Sequence, residues 1–207
     1  MDKTIFESFE DYLEEADYPQ GKKKIMRSAV ELISTKGYDG TSTLNIAEHA
    51  GLSQATLFKY FKTKVDLLTA ILHPVVPGLF GSFFEELLTF ETTEEKVHYF
   101  VHNRMSYLKK NRALIKIIFH EIFSNNKLRN EQKFIWSTIQ DKLQTFHKEL
   151  LADSRVDPEL TIPQMLRICV GPLLAYFAQL YIIGDNDEMR VEDLDLLEKQ
   201  ILGGLWK

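Results

Sequence analysis

Gln54, Ala55, Thr56, Lys59 and Tyr60 share one side of a seven-residue stretch, QATLFKY, whose other side carries Leu57 and, just beyond it, Phe61. An amide, a methyl, a hydroxyl, an ammonium and a phenol on one helical face are the groups that base edges and phosphates of duplex DNA accept. Other chemistry-bearing residues are sparse. His98 and His102 stand four apart, a spacing that stacks two imidazoles on one helix face for a shared metal, but no acidic or thiol partner accompanies the pair. His73, beside Pro74, and His147 are the other candidate metal or haem ligands, and with sites this weak no metal or cofactor is expected. Glu121 falls inside the apolar arc of its own segment, so its carboxylate needs either an internal base such as Arg104 or Arg167, or a cationic ligand. The chain offers no nucleophile motif, no glycine-rich phosphate loop and no metal cluster, and its single cysteine, Cys169, lies among apolar neighbours as a core residue would. An enzyme is therefore not expected, and neither a disulfide within the chain nor a cysteine-based zinc finger can form.

These residues depend on the elements around them. Ser42 caps a helix that turns Ile46, Ala47 and Ala50 inward, Gly51 supplies the left-handed backbone that ends it, Leu52 plugs the corner, and Ser53 caps the next helix, Gln54 to Tyr60. Thr63 then caps a third helix, with Asp66 completing a capping-box-like pair. Ahead of them, Lys22 to Thr35 carries Ile25, Ala29, Leu32 and Ile33 on one face. The segment Thr41 to Leu68 thus reads as a helix-turn-helix that places one helix in a DNA groove.

The run from Lys22 through Ile71 resembles the DNA-binding domain of the TetR (tetracycline repressor) family. The resemblance rests on Gly37, Tyr38, Ser42, Thr43, Ile46, Ala47, Ala50, Gly51, Ser53, Thr56, Leu57, Phe58, Tyr60, Phe61, Lys64 and Leu67, and it covers about a quarter of the chain. It implies an all-α fold: an N-terminal three-helix helix-turn-helix domain followed by a larger helical ligand-binding and dimerisation domain. Carried over position by position, it puts Thr43, Thr56, Tyr60 and Lys64 on phosphates and Leu44, Gln54, Ala55 and Lys59 nearest base edges, with Ser42 and Ser53 at the two helix starts. One position departs from the family: Phe58 stands where an aromatic hydroxyl often meets the DNA backbone, so Lys59 or Tyr60 must supply that contact.

A formal charge of −5 is unusual for a DNA binder until it is divided. Between Lys22 and Asp66 eight basic residues face four acidic ones, a net of +4, whereas the first 19 residues carry one basic and seven acidic, a net of −6. A duplex senses charge within roughly 8 Å, so a local basic face suffices. The acidic start is unlike a signal peptide, and the apolar run Ile168 to Ile183 is interrupted by Gly171, Pro172 and Gln179, so the expectation is a cytoplasmic protein with no membrane partner.

The expected organisation is an acidic extension over 1–19, the DNA-binding domain over 20–72 and a helical domain over 73–207. In the extension Ile5, Phe6, Phe9 and Leu13 share a helical face, giving a packed arm or one that repels phosphates. Further helices are read at Lys64 to His73, where Pro74 and Pro77 kink or stop the chain, and at Leu79 to Phe90, Thr93 to Lys110, Arg112 to Ser124, Asn130 to Ala152, Ile162 to Ile183 and Val191 to Leu205. Arg112 to Ser124 is apolar over about two-thirds of its circumference and is expected near the middle of the larger domain. Ile162 to Ile183, apolar almost all round, is expected to pack the core on one side and, with the last helix, a second subunit on another; two reading helices about 34 Å apart would then match a palindrome. Phe83, Tyr99, Arg104, Tyr107, Phe119, Glu121, Phe123, Phe146 and Phe177 are candidates to line a site for a small hydrophobic or aromatic effector, or to be core. The expected partners are an operator duplex, a small-molecule effector and a second copy of the chain. The alternative is a DNA-binding regulator whose C-terminal domain senses a metal, haem or protein partner.

Overall fold

The computed structural model describes residues 9–72, 82–124, 129–184 and 188–207, with side chains in those spans except at 119–138. The helices are α1 (Phe9–Glu15), α2 (Gln20–Lys36), α3 (Thr43–His49), α4 (Gln54–Tyr60), α5 (Lys64–Leu72), α6 (Phe83–Leu87), α7 (Thr93–Lys110), α8 (Arg112–Ser124), α9 (Arg129–Leu151), α10 (Ile162–Ala178), a π-helical turn (Gln179–Ile183) and α11 (Val191–Leu205). Among the described residues the β structure is one isolated bridge, Val156 with Trp206. The fold is all-α, as expected. Pro74, Pro77, His73, Ile5 and Phe6 lie outside the described residues.

The chain packs as two units, Met1–Leu79 with Lys110–Ile135, and Phe80–Lys109 with Trp136–Lys207. In the first, α2 is the hub, touching α3, α4, α5 and α8. Ile25, Met26, Ala29, Ile46, Leu57, Leu67 and Ile71 are sealed from solvent, each large one contributing about 1.5–3 kcal/mol by burial. Helix α8 corrects an expectation, because it packs on α2 in this unit and not in the middle of the larger domain. The physical reason is coverage. Helix α2 is 17 residues long, while α3 and α4 have seven each and α5 nine, so these three alone leave apolar surface on α2 for Leu114, Ile115 and Ile117 to bury against.

The described part of the acidic extension, residues 9–19, is a packed arm. Phe9 and Leu13 are buried, the Phe9 amide donates to Asn111 Oδ1 at 3.2 Å, and Tyr12 and Tyr18 share a hydroxyl–hydroxyl bond of 2.7 Å. The arm also engages cations counted toward the basic face. Arg27 Nε donates to Glu10 at 2.7 Å, Lys23 Nζ donates to the Glu14 carbonyl at 3.1 Å, and Lys22 Nζ lies 3.4 Å from the Tyr18 ring centroid.

In the second unit α10 packs along α11, and the Ile168 side chain lies against Gly204, where a Cβ would stand 2.8 Å from Ile168 Cγ2. Helix α10 runs through Pro172, and its π-helical turn carries the apolar segment to Ile183. At 22 residues, Ile162–Ile183 is long and apolar enough to cross a membrane by composition, yet its buried side, with Met165, Cys169, Leu173 and Phe177, packs within the protein. The C-terminus is anchored by Arg155, which donates to Glu94 at 2.5 and 2.9 Å and to Asp153 at 2.7 Å and stacks 4.5 Å from the Trp206 ring. Helix α6 ends at Leu87, before the expected Phe90. The Thr89 hydroxyl donates back to the Glu86 carbonyl at 2.7 Å, a local bond that closes the helix.

Candidate nucleic-acid interface

The corner between α3 and α4 forms as its residues dictate. The Ser42 hydroxyl accepts from the Asn45 amide at 3.1 Å, Gly51 adopts φ 68°, the Leu52 amide reaches back to the Ala47 carbonyl at 2.9 Å, and the Ser53 hydroxyl accepts from the Thr56 amide at 3.1 Å. Ahead of it Gly37, at φ 74°, begins the turn into α3, where the buried Thr41 hydroxyl donates to the Gly37 carbonyl at 2.8 Å. Behind it Thr63 and Asp66 form the reciprocal capping box at 2.9 and 3.0 Å, fixing the start of α5.

On this frame the inward residues Ile46, Ala47 and Leu57 are buried, while Ala55, Phe58 and Lys59 of α4 and Leu44 of α3 are exposed. Gln54, Thr56, Tyr60 and Thr43 are half-buried. One α4 residue is already engaged: Gln54 Nε2 donates to Thr43 Oγ1 at 2.9 Å, locking the first turn of the reading helix to the first turn of α3. Lys64, assigned to a phosphate by resemblance, donates to the Tyr38 carbonyl and sits 3.9 Å from the Tyr38 ring centroid. Of the eight basic residues counted in the sequence, Lys24, Lys36, Lys59 and Lys62 are exposed, half the number the sequence offers. Periodicity separates buried from exposed faces, but it carries no sign that the arm draws on Lys22, Lys23 and Arg27.

In the second unit the structure brings together four of the proposed effector residues. Arg104 lies 3.9 Å from the Phe83 ring centroid and 5.2 Å from that of Tyr107, and Phe83 stacks with Tyr99 at 5.7 Å. The Tyr99 hydroxyl donates to Glu86 and accepts from Asn103 at 2.9 Å, while Arg104 Nε donates to Asn103 Oδ1 at 3.0 Å. Burial pushes the Arg104 guanidinium down to about 10 and raises the phenols of Tyr107 and Tyr99, the latter also through its bond to Glu86. Phe146 meets Phe84 at 6.4 Å, and the fully buried Phe177 meets Tyr181 at 5.0 Å. Phe119, Glu121 and Phe123 have side chains outside the described residues. An open groove of about 170 Å³, bordered by Phe84, Leu88 and Lys142, is smaller than the ~300 Å³ at which ligand pockets usually begin.

Histidines divide in the same way. His147 Nε2 donates to the Leu160 carbonyl at 2.5 Å, and His49 lies 3.7 Å from Glu31. His98 and His102 do meet an acid, since both converge on Glu198 of α11, which stands 96 positions from His102 and leaves no local signal in the sequence. Cys169 is core, its thiol pushed up to about 12 by burial.

The sequence signature described as "Bacterial regulatory proteins, tetR family" matches residues 25–71. The probable HTH-type transcriptional regulator YttP of Bacillus subtilis (strain 168) is 28% identical over 146 residues, 69% of this chain and 69% of that protein. Among solved structures, the fatty acid degradation regulator FadR of Bacillus halodurans superposes with a TM-score of 0.75 at 19% identity, covering 92% of this chain and 98% of that one. FadR of Bacillus subtilis, solved in complex with stearoyl-CoA, superposes with a TM-score of 0.68 at 22% identity, covering 87% and 95%. With the capped corner, the exposed face of α4 and the match over 25–71 in agreement, residues 25–71 form a DNA-binding domain of the TetR family, and the chain is a TetR-type DNA-binding transcriptional regulator.

Proposed function

We propose that the chain is a homodimeric cytoplasmic repressor that holds a palindromic operator and leaves it when a small apolar effector binds its C-terminal domain. The observation that carries this reading is the solvent-facing side of α4, where Ala55 and Lys59 are exposed beside Gln54 on a helix capped at its start and buried at Leu57. Dimerisation is supported by Ile183 at 83%, Val191 at 66% and Leu196 at 53% exposure, apolar residues at and after the end of an apolar segment that is only a third buried. A second copy would cover them, and one short reading helix contacts too few base pairs to specify a site alone.

The effector class follows from the aromatic cluster. Phe83, Tyr99 and Tyr107 around the Arg104 guanidinium suit a molecule with an apolar chain or ring and an anionic group, and the stearoyl-CoA complex of the Bacillus subtilis relative supports an acyl compound. Phe119, Glu121, Phe123, Phe146 and Phe177 remain proposed members of the site. An effector releases DNA only by preferring a conformation in which the two α4 helices no longer fit the groove spacing. The coupling is therefore reciprocal, typically about 5- to 150-fold. The test is calorimetric titration of long-chain acyl-CoA into the dimer with and without saturating operator. Equal affinities in the two titrations sink the ligand-released mechanism.

A further inference from the structure

We propose that His98, His102 and Glu198 form a binding site for one divalent transition metal of the zinc class, joining α7 to α11. This stands independently of the repressor reading. His98 Nδ1 lies 2.9 Å and His102 Nε2 3.1 Å from the same oxygen, Glu198 Oε1, and the three donor atoms all fall within 4.8 Å of one another. The i, i+4 spacing holds the two rings 4.3 Å apart, on one face of a helix, as in helical zinc-binding pairs. With metal–ligand bonds of about 2.0–2.1 Å, tetrahedral geometry separates donors by roughly 3.3 Å, so each histidine-to-Glu198 distance needs to open by only a few tenths of an ångström, while the two ring nitrogens, within 4.8 Å of one another, draw together by rotation of the more exposed His98 ring.

Exposure is graded to suit an open site. Glu198 is 19% exposed, His102 39% and His98 62%, so the acid is held by the fold while the outer imidazole leaves an entry path and room for water as a fourth ligand. Two imidazoles and a carboxylate suit zinc, cobalt or nickel, whereas calcium and magnesium prefer oxygen donors throughout. The protons also balance. Without metal each ring donates an N–H to the Glu198 carboxylate; on binding, each neutral ring carries its proton on the other nitrogen and turns a lone pair to the cation, with Oε1 as the third donor. The residues of α7 alone do not reveal this trio, because its acid comes from the last helix.

The test uses the full, untagged chain, stripped with chelator and titrated with Co²⁺ by visible absorption and with Zn²⁺ by calorimetry, alongside thermal melts. One Co²⁺ per chain, displaced by Zn²⁺ and accompanied by a rise in melting temperature, is expected. His102→Ala and Glu198→Gln should each weaken binding by more than the roughly 10- to 100-fold that loss of an outer-shell partner costs. His147→Ala should leave binding unchanged, since that ring serves the Leu160 carbonyl. If His102→Ala melts early without metal, the exposed His98→Ala carries the comparison. No uptake by the wild type, or stoichiometric uptake retained by His98→Ala/His102→Ala, overturns the site.

Discussion

Gln54 holds two helices together with the same amide that a base edge would take. Its bond to Thr43 must be exchanged or shared when DNA arrives, so its contribution is a difference between two partners. Gln54→Ala is expected to cost about 1–3 kcal/mol on the cognate operator and far less on random duplex. Lys62 is exposed beyond the end of α4 and is not among the residues placed near base edges, so its alanine variant should weaken every duplex alike and, where it meets a phosphate, flatten the salt slope by about 0.9. Anisotropy titrations at several salt concentrations separate the two, and equal losses on cognate and random DNA for both variants would remove the assignment. Lys64 differs from both because it donates to the Tyr38 carbonyl, so Lys64→Ala should lower the melting temperature as well as DNA affinity. Gly51 sits at φ 68° with open space where a Cβ would point, so Gly51→Ala should cost about 1–2 kcal/mol through backbone strain alone.

Element boundaries were readable wherever a cap and a period agreed. Ser53 with Leu57 delimits α4, and the stretches Thr93–Lys110, Arg112–Ser124 and Val191–Leu205 stand as read, because polar caps and turns flank runs of helical period. What periodicity cannot carry is the identity of the neighbour. The apolar circumference of α8 demands cover without saying that α2 provides it, and the i, i+4 histidines do not name Glu198. The turn at Arg155 was likewise illegible, since beyond its neighbour Asp153 its partners Glu94 and Trp206 come from two distant stretches. Its acids give a pH prediction. Hydrogen bonds from Arg155 hold the Asp153 carboxyl far below, and that of Glu94 below, the usual carboxylate range. Depressed folded values mean stability that is present above about pH 4 and lost as pH falls through them. Arg155→Ala should therefore be less stable than wild type at neutral pH, with the gap closing as the acid limb is reached. Parallel denaturation curves with a constant gap from pH 7 to pH 2 would show that this network is not responsible.

At the scale of the molecule the exposed apolar residues Ile183 and Leu196 make assembly testable without dismantling the fold, since neither is buried in the single chain. Ile183→Glu with Leu196→Glu should sediment as a monomer and lose affinity for a palindrome while keeping its helical content. A dimer that survives both changes would place the seam elsewhere. The first unit is also discontinuous: its arm is fixed by Asn111, 102 positions from Phe9, and α2 is covered by α8. Synthesis order then matters. At roughly 5–20 residues per second, the stretch between Leu72 and Arg112 takes about 2–8 s to make. Through those seconds the reading helices exist without the helix that seals their hub, so a nascent chain halted there should be more accessible to protease and chaperone than the finished protein.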